Sequence, residues 1–303
     1  MLLAEFLKEG ISALEPLYPA AEARNILLML CEEVLGTKSY THIVEPRYEI
    51  APKRLGPLLS AAERLKAGEP IQYIIGKTEF CGRSFRLTPD VLIPRPETEL
   101  LAREAVKIAS RIQRMRLPFG KKAQPVRVLD LCTGSGNIAW TVALSVPGAL
   151  VVGVDISEAA LTVARSQDFT AEMKETHALA PSFIKADVLD PSAASDSGLF
   201  DLILSNPPYI MEKEKPLMRS NVLDYEPSEA LFVPDEDPLL FYRAVVSWSE
   251  LHLAAGGKGL VEINETLGKE TLALFSGEPF REAELVKDFY DKNRFVFYSK
   301  QAM

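Results

Sequence analysis

The stretch VRVLDLCTGSGNIA, residues 126–139, constrains the fold more than any other part of this chain. An apolar run carries Asp130 near its end, glycines follow at 134 and 136, and a helical pattern begins at 137. Strand, glycine turn and helix in that order open a βαβ unit, whose buried strand needs helices on both faces. The alternation continues. LVVGVDI, SFIKAD, FDLILSN and GKGLVEI read as strands, and residues 158–173 and 238–253 read as helices between them. REAELVKDF and RFVFYSK then form two strands joined by a turn at Tyr290 to Asn293. That pair is expected to be an antiparallel hairpin closing one sheet edge.

The residues before this region have a different character. Ile26, Leu27, Leu30, Cys31, Val34 and Leu35 recur at helical spacing, with Gly36 as a stop. Leu55, Leu58, Leu59, Ala62 and Leu65 share a second helical face, ended by Gly68 and Pro70. This is a small helical bundle without a catalytic constellation. TEF and RSFRL flank Cys81-Gly82 as a short hairpin, a connector, and residues 98–112 turn helical again. A length of 303 residues with 47% hydrophobic content accommodates one large domain and one small one.

Charge and cysteine usage exclude several classes. The net charge of -8 disfavours duplex DNA, because Lys and Arg contacts to phosphate supply most non-specific affinity. The one basic run, Arg111, Arg114, Arg116, Lys121 and Lys122, reads as a solvated helix end and loop. Cys31, Cys81 and Cys132 are too scattered for a disulfide framework, which fits a reducing cytoplasm. His42, His177 and His252 have no metal-ligand spacing, so no metal is expected. The N-terminus has no signal-peptide pattern, and no run approaches the ~20 apolar residues of a membrane span.

The glycine loop points to a nucleotide-like cofactor. Gly134 and Gly136 permit tight turns, and the following helix offers free N–H groups. Asp155 ends the next strand, where an acid can take both ribose hydroxyls. Nicotinamide, flavin and S-adenosylmethionine sites all share this layout. Asp130 tilts the choice, since a carboxylate there repels a pyrophosphate but suits an ammonium and a sulfonium. Asp187 either meets the adenine amino group or caps its loop.

Asn206-Pro207-Pro208-Tyr209 follows the strand FDLILS, at the carboxyl end where open parallel sheets bind ligands. An amide nitrogen is a poor nucleophile because its lone pair is delocalised. Two acceptors, the Asn206 side-chain oxygen and the Pro207 carbonyl, can orient its two N–H bonds, while Tyr209 offers a flat wall.

DLCTGSG, GVDIS and SNPPYI in that order resemble an amino methyltransferase of the seven-stranded class. GKTEFCGRSFRLTPDVLIPRPETELL, YEPSEAL and KDFYDKNRFV narrow the likeness to the release-factor glutamine methyltransferases, the HemK/PrmC family. The resemblance implies an α/β fold: a seven-stranded class I, Rossmann-like methyltransferase domain, with a small helical N-terminal domain and a β-hairpin connector. It implies helical substrate recognition over 1–72, a connector over 73–93 and a methyltransferase domain over 94–303. Methyl transfer from S-adenosylmethionine to the Gly-Gly-Gln glutamine of peptide-chain release factors is the activity it implies. Cys132, Thr133, Gly134, Ser135 and Gly136 would line the methionine end of the cofactor; Asp155 would hold the ribose, and Asp187 with Val188 would sit by the adenine. Asn206, Pro207, Pro208 and Tyr209 would hold the glutamine, with LIPRPETE and Phe80 walling the pocket and Arg95 and Glu97 there as wall or as an ion pair. A cytoplasmic monomer with no stable nucleic-acid or membrane partner is expected.

Some positions depart from the family pattern. ALFVPDEDPLLFY lacks glycines often found after its AL pair, Asn264 stands where a glycine is usual, and Val188 replaces a bulkier residue. The rival readings are a ribosomal-protein glutamine methyltransferase, a DNA adenine methyltransferase, an NAD-dependent oxidoreductase and an inactive cofactor-binding module. PRPETELL counts against the first. The acidic balance counts against the second, Asp130 with the NPPY tetrad against the third, and an intact Asn206 against the last.

Overall fold

A computed structural model of the chain describes residues 1–116 and 124–302. Lys121 and Lys122 of the basic run lie outside the described residues. In chain order the elements are α1 (Leu3–Leu14), α2 (Ala20–Leu35), α3 (Thr41–Val44), α4 (Pro52–Lys66), α5 (Ile71–Ile75), β1 (Lys77–Phe80), β2 (Arg83–Arg86) and α6 (Pro96–Arg116). Then come β3 (Arg127–Leu131), α7 (Asn137–Ser145), β4 (Leu150–Asp155), α8 (Glu158–Arg165), α9 (Thr170–Thr176), β5 (Ser182–Lys185) and β6 (Phe200–Ser205). The remainder are β7 (Ile210–Met211), α10 (Ser220–Tyr225), β8 (Phe232–Val233), α11 (Leu240–His252), β9 (Leu253–Glu262), α12 (Gly268–Leu274), β10 (Phe280–Lys287) and β11 (Asn293–Lys300).

The chain divides into two compact units: Met1–Lys77 with Met218–Tyr225, and Thr78–Leu217 with Glu226–Met303. The first is helical. Leu3, Phe6 and Leu7 of α1 pack with Leu27 and Leu30 of α2 and Leu58 and Leu65 of α4, all buried. Leu59, expected on the same buried helical face, is instead 39% exposed. Gly36 closes α2 in the left-handed conformation, φ 74°, which a glycine adopts without a Cβ penalty. The later segment joins this unit through Arg219, paired with Glu22, and through the Tyr225 hydroxyl, which donates to the Ala67 carbonyl.

The second unit is built on a seven-stranded sheet of order β10-β11-β9-β6-β3-β4-β5. β5, β4, β3, β6 and β9 are parallel, and β11 and β10 turn antiparallel at one edge, as the two final apolar runs imply. Alternate residues enter opposite cores. Val128, Leu202 and Leu260 face α6 and α7, while Leu129, Ile203 and Val261 face α11 and α12. The strands are buried on both faces, which is why they read as apolar runs without alternation. Sheet order reverses between β3 and its two neighbours, and the loops leaving β3, β4, β5 and β6 gather at that crevice.

Three local expectations need correction. Residues 158–173 are two helices rather than one, interrupted at 166–169, where Gln167 turns inward to donate to the Arg86 and Ser135 carbonyls. Arg95 pairs with the buried Glu226 and not with Glu97. Arg116, read as solvated, forms a two-pronged pair with Asp201, whose carboxylate also accepts the Arg127 backbone N–H.

Candidate active site

The site begins with the turn after β3. Cys132, Gly134 and Gly136 all adopt positive φ, 59°, 54° and 76°. This tight path returns the chain to α7, whose Ala139 N–H reaches the Asp130 carboxylate at 3.1 Å. Asp130 Oδ2 also accepts the Thr133 hydroxyl at 2.6 Å. Its Oδ1 is buried and has no hydrogen-bond partner among the described residues. Burial pushes the Asp130 carboxyl up to about 7, against the pull of Thr133 and Ala139. Burial likewise holds the Cys132 thiol well above the usual range, with Asp155 and Asp130 adding to it, so Cys132 is a neutral wall and not a nucleophile.

Asp155 ends β4 beside this turn. Its two oxygens accept the Gly134 N–H at 2.8 Å and the Ser157 N–H at 3.0 Å. Burial raises its pKa, and those backbone donors oppose the rise. Asp187, after β5, accepts the Leu189 N–H at 2.8 Å, so the loop-capping reading holds, and it also faces the cavity. The Val188 carbonyl is fixed by the Trp248 indole N–H at 2.7 Å.

These groups border a cavity of about 350 Å³, within the range of small-molecule sites. Cys132, Gly134, Asp155, Asp187, Val188, Asn206 and Pro208 line it together, and so does Leu92 of the LIPRPETE segment. Asp130, Thr133, Ser135, Gly136, Pro207 and Tyr209 are not among its lining residues. Phe80 is in the core against Phe85, ring centroids 6.0 Å apart. Apolar Val154, Ala186, Phe232 and Phe241 also line the cavity, together with Glu229.

Asn206 leaves β6 at the cavity, and its Nδ2 donates to the Thr98 hydroxyl at 3.2 Å. Its Oδ1 accepts no hydrogen bond among the described residues. Pro207 is buried behind it. The Tyr209 hydroxyl donates to Glu262 Oε1 at 3.1 Å, and burial together with that carboxylate keeps the phenol protonated.

A family model described as a methyltransferase domain matches residues 122–295, and one described as the PrmC N-terminal domain matches residues 5–76. The release factor glutamine methyltransferase of Bacteroides thetaiotaomicron is 36% identical over 284 residues, covering 94% of this chain and 95% of that protein. Its namesake from Flavobacterium psychrophilum is 33% identical and spans 98% of both chains. The chain belongs to the release factor glutamine methyltransferase family. A third relative of that name, from Bordetella pertussis, is 36% identical over 90% of this chain and 92% of its own length.

One polar residue of this methyltransferase has no place in the sequence motifs. Glu262 ends β9 and is 1% exposed, accepting Thr98 at 2.8 Å through Oε2 and Tyr209 through Oε1. β9 runs parallel to β6 with Val261 opposite Ser205, so the next residue of each strand, Glu262 and Asn206, emerges side by side. The signal was present: an acid closing the apolar run GLVE is out of character with a core strand. Asn264, the departure from the usual glycine, donates through Nδ2 to the Tyr209 carbonyl at 3.1 Å and to Glu214 at 3.0 Å.

Proposed function

We propose that this chain transfers the methyl group of S-adenosylmethionine to the side-chain amide nitrogen of the Gly-Gly-Gln glutamine in a peptide-chain release factor. The observation that carries this reading is Asn206. Its Nδ2 is tied back to Thr98, so an amide acceptor, Oδ1, remains at a cavity lined by paired acids and apolar walls. The names of the relatives supply the substrate class.

The residues present fit the cofactor. Asp155 offers carboxylate oxygens to a vicinal diol, and Asp187 offers an acceptor to an amino group beside apolar Val188 and Phe241. Asp130, with an unsatisfied buried oxygen under the loop, favours a positive charge nearby. When bound, S-adenosylmethionine supplies an electrophilic methyl group on a sulfonium.

The chain's own work is orientation. Asn206 Oδ1 and the Pro207 carbonyl accept the two N–H bonds of the glutamine amide, and Tyr209 walls its plane. Both proline rings restrict the turn that carries these acceptors. A nitrogen held this way attacks in line, and orientation replaces the activation that a base would otherwise provide. The alkylated amide is strongly acidic and sheds its proton after the bond forms. The helical region, 1–72, grips the protein partner, and residues 73–93 connect it to the transferase domain, 94–303.

The test is transfer of labelled methyl to purified release factor, mapped by proteolysis and mass spectrometry. Label on the Gly-Gly-Gln glutamine is expected. Faster labelling of a ribosomal protein, or of duplex DNA, would overturn the assignment.

A further inference from the structure

We propose that Thr98 is a positioning residue for methyl transfer: its hydroxyl, anchored on Glu262, fixes the Asn206 amide with Nδ2 turned inward and Oδ1 turned to the substrate. The inference rests on the amide-holding role given to Asn206 above. The two ends of a carboxamide have nearly the same size and shape, so packing alone does not choose between them. Only a hydrogen-bonding neighbour can. An Asn206 side chain turned the other way would set N–H against the N–H of the glutamine amide, and the attacking nitrogen would lose its acceptor.

The network makes the choice through Glu262. An ionised carboxylate only accepts. Thr98 (2% exposed) therefore donates its single hydroxyl proton to Glu262 Oε2 at 2.8 Å, and Tyr209 donates to Oε1 at 3.1 Å. With its proton committed, the Thr98 oxygen has only lone pairs to offer Asn206, 3.2 Å away, and the group facing it must be Nδ2. The tetrad is thus held at both ends by one acid from the neighbouring strand. Burial raises Glu262 to about 7; the hydroxyls of Thr98 and Tyr209 and the charge of Arg294 on β11 lower it, and Glu97 on α6 raises it. Tyr242 of α11, a further titratable neighbour, is itself raised by burial and by Glu262. The relay is fully set above neutrality, so the test belongs at about pH 8.

Thr98→Val keeps the volume and removes the hydroxyl, whereas Thr98→Ser keeps the hydroxyl. Steady-state methyl transfer to intact release factor, calorimetry with S-adenosylmethionine and thermal unfolding are measured for both, with Asn206→Ala alongside. Thr98→Val is expected to lower kcat roughly tenfold to a hundredfold, the scale of a misplaced reacting group, and to leave KM and cofactor affinity within about twofold. Thr98→Ser is expected to restore most of kcat. Parental kcat in Thr98→Val with a strongly impaired Asn206→Ala would overturn the positioning role and leave the amide-holding role standing. Parental kcat in Asn206→Ala would instead remove the amide-holding role itself. A serine variant as slow as the valine variant, or a kcat loss matched by lost cofactor affinity, also overturns the proposal. Should Thr98→Val unfold early, Glu262→Gln carries the same expectation, because it keeps the shape but no longer compels Thr98 to donate. Parental kcat there contradicts the relay.

Discussion

Asp155 braces the glycine turn, a role that spacing alone does not reveal. Its place at the end of an apolar strand, some twenty residues after the glycine turn, is legible from spacing alone. Its hydrogen bonds to the Gly134 and Ser157 N–H groups are not, because they depend on how the turn folds back on β4. Asp155→Ala is expected to weaken binding of S-adenosylmethionine by ~1–3 kcal/mol, through lost charge-assisted hydrogen bonds and a loosened turn. Isothermal calorimetry checks this, and Asp155→Asn, which keeps one acceptor oxygen, should fall between the parent and the alanine variant. Asp130 shows the opposite limit of sequence reading. Its chemistry drew attention to it, yet it lies under the loop and bonds Thr133 and Ala139 instead of lining the cavity. Glu262 escaped notice for a related reason: its partners, Thr98 and Tyr209, are separated from it by 164 and 53 residues in the chain.

At the scale of elements, the glycine turn was readable because its two glycines serve a backbone path that other residues rarely take. The structure distinguishes them. At Gly134, φ 54°, an added Cβ meets nothing within 4 Å; at Gly136, φ 76°, it comes within 3.0 to 3.1 Å of the Phe183 ring and the Ala164 methyl. Gly134→Ala should therefore cost ~1 kcal/mol of folding stability, from backbone strain alone. Gly136→Ala should cost ~2–3 kcal/mol, because β5 and α8 must also give way. Urea unfolding of both variants measures the difference, and equal losses would contradict the packing explanation. The break between α8 and α9 was not legible, because helical periodicity runs through residues 166–169. What interrupts the helix is tertiary: the Gln167 side chain donates to Arg86 and accepts from its N–H at 2.8 Å, bracing β2. Between β6 and α11, β7 pairs with β8 over two residues each, too short to leave a pattern in the sequence.

At the scale of the whole molecule, two carboxyls among the described residues, Asp130 and Glu262, lie in surroundings that raise each to about 7, chiefly by burial. In the unfolded chain such groups titrate near ~4. The folded state thus binds more protons between those values, so this contribution to stability is complete below ~4 and is lost as pH rises through about 7. Without ligand, the protein should be more stable at about pH 6 than at about pH 8, by roughly 1 kcal/mol per group. Glu262→Gln should flatten part of that slope in urea unfolding, and an unchanged slope would mean that Glu262 does not titrate there. The two-unit organisation was readable from the change between helical and alternating patterns. The membership of Met218–Tyr225 in the helical unit was not, since it depends on Arg219 and Tyr225 finding Glu22 and Ala67 far away in sequence. Methyl transfer depends on the acceptor at Asn206, and single-turnover transfer by Asn206→Ala tests that dependence most directly. Loss of one preorganised hydrogen bond at the reacting group should slow transfer to the release factor on the order of a hundredfold or more, with cofactor affinity nearly unchanged. A parental rate in that variant, or equal labelling of a release factor whose Gly-Gly-Gln glutamine is replaced by alanine, would contradict it.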